Sequence, residues 1–109
     1  MSKIPVKQYH KMSARHPELL AAVESLGTAA GAAGPLDETV RQLIQLGAAA
    51  AIHSEGAVHS HTRRALESGA TADEVRHALL LLTSTIGFPA VVAAMTWADD
   101  VLESEDAKA

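Results

Sequence analysis

The sequence predicts an all-α domain of five to six helices whose core is shared in an oligomer. Apolar residues recur at helical spacing along the chain, and no stretch alternates with the period of two that a strand requires. Hydrophobic residues make up 48% of the chain and aromatic residues only 3%, so the apolar side chains are mostly small. Because small side chains bury little area each, such a core gains stability when neighbouring subunits share it.

The length of 109 residues suits one domain and is too short for two. We expect an N-terminal arm over residues 1–16, one helical domain over 17–103 and a polar, disordered tail over 104–109. The formal charge is −4 and basic residues do not cluster, which argues against a nucleic-acid partner. No apolar run approaches the roughly 18 residues that span a bilayer. We therefore expect a soluble, cytoplasmic protein with no membrane partner.

The first helix of the domain is expected from Pro17 to about Gly31, since proline is favoured in a first turn and apolar residues follow at helical spacing. The second is expected over 38–53, with Asp37 as its N-cap. This second helix is apolar on nearly every side, which is typical of a helix buried on several faces. In so small a chain, some of those faces must contact another subunit.

Three further helices begin and end at recognisable signals. They are expected over 55–68, 71–86 and 89–103. Ser54 is the expected N-cap of the first and Gly69 its C-terminal stop. Thr71 and Glu74 have the spacing of a capping box, and Pro89 suits the first turn of the last helix.

The helix over 55–68 carries two histidines and a glutamate in a chain without cysteine. At about 100° per residue, with Val58 facing the core, His61 lies at about −60° and His59 at about +100°. The two imidazoles therefore cannot hold one metal ion between them. Glu55 and His59 could form half of a divalent-metal site, with His77 as a further ligand. The alternative is an exposed pair of residues one turn apart.

His61 is the candidate for chemistry, because the residues beside it on the helix are small and leave space around the ring. Those neighbours are Ser54, Ala57 and Ala65. The alternative is a core histidine satisfied by a backbone carbonyl or a polar side chain.

Three stretches, GPLDETVRQLIQLGAAAA, HTRRALESGATADEVRHALLLL and GFPAVVAAM, together resemble the carboxymuconolactone decarboxylase and alkylhydroperoxidase D-like family. The resemblance covers residues 34 to about 102 and implies the helical fold of that family in a trimer or hexamer. The alkylhydroperoxidase D-like branch places a Cys-x-x-Cys pair before its histidine and a glutamate on the preceding helix. In this chain His61 matches the histidine, Ser54 and Ala57 replace the cysteines, and Gln42 replaces the glutamate. Thiol peroxidase chemistry is therefore excluded.

The decarboxylase branch retains the histidine without the cysteine pair, so the resemblance implies a lyase or isomerase acting on a small organic acid or lactone. His61 would transfer the proton, Gln42 would donate a hydrogen bond, and Arg41 would hold a carboxylate. A solvated charge at the helix start is the other interpretation of Arg41. The expected substrate-binding residues are Ser54, Ala57 and His53.

His53 shares a helical stripe with Gln42, although it can equally lie at the helix end, where the dipole favours it. No cofactor is required by the lyase or isomerase hypothesis. The alternative function is a non-catalytic oligomeric protein of the same fold that binds a small ligand or a divalent metal.

Overall fold

Seven helical segments, without a strand, form the part of the chain described by the structure, a computed structural model that covers residues 4–108 and the side chains of 7–104. The all-α prediction is therefore confirmed for these residues. The segments are α1 (Ile4–Arg15), α2 (Pro17–Ala32), α3 (Glu38–Ala51), α4 (Glu55–Glu67), α5 (Ala72–Leu80), α6 (Thr83–Ile86) and α7 (Phe88–Lys108).

The predicted helix caps form as the sequence indicates. The Asp37 carboxylate accepts a hydrogen bond from the backbone N–H three residues on at 2.9 Å, and the Ser54 hydroxyl does the same at 3.3 Å. Thr71 and Glu74 make both hydrogen bonds of a capping box. Each cap satisfies a backbone donor that the first helical turn leaves unpaired, so the starts of α3, α4 and α5 are fixed locally.

Helices α3 and α4 end in the same backbone motif with different residues. At the end of α4, Gly69 has φ +112°, and the following N–H donates to the carbonyl of Ala65 at 2.9 Å. At the end of α3, His53 has φ +57°, and the following N–H donates to the carbonyl of Ala49 at 3.0 Å. This is the Schellman arrangement, whose left-handed position favours glycine. His53 therefore occupies a position that costs a residue with a Cβ atom some stability.

Three parts of the chain differ from the sequence prediction by more than two residues. The helix expected over 71–86 is split into α5 and the single turn α6, because the chain turns at residues 81–82. Most of the expected N-terminal arm is helix α1. Helix α7 continues to Lys108, so the predicted disordered tail is helical as far as the structure describes it, and residue 109 lies outside the described residues. None of the described helices is both long and apolar enough to cross a bilayer.

The core lies where α3, α4, α5 and α7 meet. Its buried residues are Leu46, Ala49, Ala50, Val58, Ala65, Ala70, Val75, Leu79, Ala94, Ala98 and Leu102. Helix α3 buries the stripe that includes Gln42 and Leu46, whereas Val40 and Ile44 on its other side are 39% and 54% exposed. The polar side chain of Gln42 is therefore buried on the side of α3 that faces α4.

Helix α2 packs against α1 and buries none of its own residues. Leu19, Val23 and Leu26 are 53%, 54% and 70% exposed in the single chain and lie on one face of the helix. An exposed apolar face of this kind is typical of a contact surface. The shared oligomeric core stays a prediction, and α2 carries the surface that would test it.

Candidate functional site

Gln42 on α3 and His61 on α4 meet side chain to side chain. His61 Nδ1 lies 2.8 Å from Gln42 Oε1, and Gln42 Nε2 donates to Glu38 Oε2 at 2.7 Å. Glu38 is one helical turn before Gln42, and its other carboxylate oxygen accepts from Arg41 at 2.5 Å. A continuous line of hydrogen bonds therefore runs from the Glu38 carboxylate through the Gln42 amide to the imidazole.

The order of donors along this line assigns the tautomer of His61. An ionised carboxylate only accepts, so Gln42 must turn its amide N–H₂ toward Glu38 and its oxygen toward the ring. That oxygen also only accepts, so Nδ1 of His61 carries the hydrogen. In the neutral ring, Nε2 is then the nitrogen that can take up a proton.

Electrostatics favours the neutral ring. The pKa of His61 lies below its ordinary value, because burial disfavours the imidazolium and the nearby Arg64 adds a like charge. Hydrogen bonds from Gln42 and Arg41 lower the pKa of the Glu38 carboxyl. Glu38 is therefore anionic at neutral pH while His61 is mainly neutral, which is the arrangement that a proton acceptor needs.

A shallow, open pocket of about 390 Å³ lies beside Gln42. Its walls come from α3 and α4 and the turn after α4. They are formed by Glu38, Gln42, Arg64, Glu67 and Ser68. Arg64 is the cation of this wall, and its guanidinium can pair with the carboxylate of a small organic acid. His61 does not line this pocket itself; its partly exposed ring is bonded to Gln42, which does.

Arg41, the carboxylate clamp suggested by the sequence, is engaged elsewhere. Its guanidinium donates to the carbonyl of Leu36 at 2.6 Å and to Glu38. It therefore helps to position Glu38 and does not line the pocket. Sequence reasoning missed both Glu38 and Arg64, although Glu38 is four residues before Gln42 and Arg64 three residues after His61, spacings that place each pair on one helix face.

The three residues expected to bind substrate do not line this pocket. The Ser54 hydroxyl caps α4, and Ala57 packs partly buried against the core. His53 is exposed beyond the end of α3, because the left-handed turn takes it off the stripe that carries Gln42. Of the two alternatives for His53, the position at the helix end is the one observed.

His59 is the buried histidine of α4, at 2% exposure, so the interpretation of Glu55 and His59 as an exposed pair is wrong for His59. Helix α7 packs on that side of α4 and supplies Asp100, whose Oδ2 lies 2.8 Å from His59 Nε2. Glu55 completes a cluster in which one possible ligand atom from each residue lies within 4.8 Å of the others. His77 is exposed on α5 and is not a member of this cluster.

The comparisons with known proteins agree with the fold. The carboxymuconolactone decarboxylase family matches residues 17–100. An uncharacterized protein of Methanocaldococcus jannaschii is 26% identical over 92 residues, which cover 84% of this chain and 86% of that protein. The crystal structure of an apo carboxymuconolactone decarboxylase family protein from Legionella pneumophila superposes with a TM-score of 0.76 at 27% identity, covering 91% of this chain and 88% of the other. The chain belongs to the carboxymuconolactone decarboxylase family.

Proposed function

We propose that the protein is a lyase or isomerase of a small carboxylated lactone or related organic acid, with His61 as its proton-transfer group. The observation that carries this proposal is the line of hydrogen bonds from Glu38 through Gln42 to His61, with lengths of 2.7 and 2.8 Å. The name of the family points to the same substrate class. The chain has no cysteine, so the proposed reaction uses no thiol of this chain.

An isomerisation needs only the groups already present. His61 Nε2 takes a proton from a carbon next to the lactone carbonyl, and the electron pair of the broken C–H bond passes into the carbonyl as an enolate. The imidazolium then returns the proton to a different carbon of the conjugated system, so the double bond moves and the balance closes without a co-reactant. Arg64 would hold the substrate carboxylate during both steps.

In a decarboxylation, the same ring acts as a proton donor instead of a proton acceptor. The bond between the carboxylate carbon and the lactone ring breaks, CO₂ leaves, and the electron pair enters the carbonyl as an enolate. Because the resting ring is mainly neutral, Nε2 of His61 first takes up a proton from solvent, and the enolate carbon then receives that proton from the imidazolium, which returns to its neutral form. Both reactions require that Nε2 face the substrate while Nδ1 stays bonded to Gln42. Holding the ring in this orientation is the role of the hydrogen-bond relay, the line from Glu38 through Gln42 to His61.

The test is a panel of carboxylated lactones and small organic acids, carboxymuconolactone included, followed by proton NMR in heavy water. We expect turnover or deuterium incorporation with one member of the panel, and a loss of about 100-fold or more in His61→Ala. His77→Ala is the matched control, since His77 is an exposed histidine outside the site. Unchanged turnover in His61→Ala would remove His61 from the mechanism. Ligands that raise the melting temperature but are never converted would favour the non-catalytic binding protein.

Arg64 is tested by a second pair of variants. Arg64→Gln should raise KM for an acidic substrate about tenfold or more, because an ion-paired hydrogen bond to the carboxylate is lost. Arg63→Gln removes the same charge one residue earlier, outside the pocket lining, and should leave KM unchanged. Equal effects in the two variants would show that Arg64 acts only through general electrostatics.

A further inference from the structure

We propose a divalent transition-metal site between α4 and α7, formed by Glu55, His59 and Asp100. One possible ligand atom from each of the three lies within 4.8 Å of the other two. This cluster is distinct from the pocket beside Gln42, because His59 and His61 project from opposite flanks of α4. It lies where the two helices pack, so a bound ion would join them.

The geometry is that of a site with two fixed ligands and one adjustable ligand. His59 is 2% exposed, and its Nε2 lies 2.8 Å from Asp100 Oδ2. Neighbouring ligands of an ion at about 2.0–2.2 Å from each are about 3.0–3.5 Å apart, so this hydrogen-bonded pair needs to separate by only a few tenths of an ångström to admit an ion. Glu55 is exposed in the first turn of α4, and rotation about its side-chain bonds can bring its carboxylate to the ion. The exposed side of the cluster also leaves room for water ligands.

Charge supports an ion at this position. Two carboxylates and one imidazole lie together, so an ion at this position would contact two negative charges. A divalent cation offsets both. The adjacent Asp99 has a different environment, since its carboxylate accepts from Arg76 at 3.3 Å and its charge is matched by a side chain of the protein. The two neighbouring aspartates on α7 therefore offer a direct comparison.

The donor set selects the class of metal. One imidazole nitrogen and two carboxylate oxygens suit Zn²⁺, Mn²⁺ or Fe²⁺, whereas Mg²⁺ prefers oxygen ligands alone. Three protein ligands also leave coordination positions for water or a ligand. A bound ion would fasten α4 to α7 and stiffen the helix that carries His61.

The experiment uses tag-free full-length protein, stripped with chelator and titrated with Zn²⁺ and Mn²⁺ by calorimetry, with thermal melts of the same samples. We expect one ion per chain, a metal-dependent rise in melting temperature, and a smaller response to Mg²⁺. Glu55→Gln and Asp100→Asn should each weaken binding at least about tenfold. Asp99→Asn removes the same charge on the same helix turn and should bind as the wild type does, with each melt compared to its own metal-free sample.

Three results would overturn the site. Titration of the wild type with neither heat nor thermal shift would mean that His59 and Asp100 form only a hydrogen-bonded pair. Equal affinity in the wild type, Glu55→Gln and Asp100→Asn would place the ion on other histidines. Equal weakening in Asp99→Asn would show that the net charge of α7, and not a ligand, governs binding. His61→Ala should bind metal unchanged, so failure of this site and failure of the proposed reaction are distinguishable.

Discussion

Gln42 holds the imidazole of His61 through a 2.8 Å contact between Oε1 and Nδ1, at the position where the resemblance to alkylhydroperoxidase D-like proteins places a glutamate. The difference has a chemical consequence. A carboxylate beside the ring would favour the imidazolium, whereas a neutral amide oxygen fixes the tautomer without adding a charge. Glu38 keeps the amide in this orientation. The hydrogen bonds from Glu38 through Gln42 therefore orient a neutral histidine, whereas a thiol is absent from this chain.

Gln42→Ala should lower kcat by about 10- to 100-fold with little change in KM, because it releases a positioned catalytic ring without removing the ring itself. The measurement is steady-state kinetics on the substrate identified by the panel. Gln45→Ala, an exposed position on the same helix, is the control and should be neutral. A rise in KM alone would show that Gln42 binds substrate and does not position His61.

His53→Gly should stabilise the protein by about 0.5–1 kcal/mol, because the left-handed position that ends α3 disfavours a side chain. The same motif at the end of α4 already has Gly69, so Gly69→Ala should cost about 1 kcal/mol. Chemical denaturation checks both. Turnover should survive His53→Gly, and its loss would return His53 to the list of substrate residues.

Thr62→Val should raise the free energy of unfolding by about 1 kcal/mol. Thr62 is fully buried, and its hydroxyl has no hydrogen-bond partner within the described part of the chain. Valine has nearly the same shape and removes the unsatisfied group. Thr62→Ser keeps the hydroxyl and loses a methyl group, so it should destabilise by about 1 kcal/mol. A lower melting temperature for Thr62→Val would indicate that the hydroxyl has a partner in solution.

Val23→Asp should dissociate the predicted trimer or hexamer, because it places a charge in the centre of the exposed apolar face of α2. Sedimentation velocity measures the change, and circular dichroism checks that the helices remain. Thr28→Asp adds the same charge on the opposite side of α2 and should assemble normally. A wild-type protein that sediments as an 11.4 kDa monomer would contradict the prediction outright.

The helix starts could be predicted because their signals are local. Asp37, Ser54 and Thr71 each bond a backbone N–H within the next three residues, so the sequence alone contains both partners. The break between α5 and α6 was missed because leucines continue without interruption through residues 79–82. Helical periodicity cannot register a turn whose residues are as apolar as the helix itself.

The candidate site could be predicted only in part. The motif match selected both Gln42 and His61 as site residues, and the structure brings these two together. It expected Gln42 to donate a hydrogen bond in the reaction, whereas its N–H₂ donates to Glu38 and its oxygen faces the ring. The burial of His59 could not follow from helical angles, because it depends on Asp100, which lies 41 residues away on α7. The angles place the buried side of α4 around Val58, whereas packing of α7 extends it as far as His59.

The measurement that tests the central claim most directly is nitrogen NMR of the His61 ring in isotope-labelled protein near neutral pH, with His61→Gln used to assign the signals. The account predicts a neutral ring with hydrogen on Nδ1 and a free Nε2, and a loss of this single tautomer in Gln42→Ala. A ring with hydrogen on Nε2, or the same tautomer mixture with and without Gln42, would contradict it.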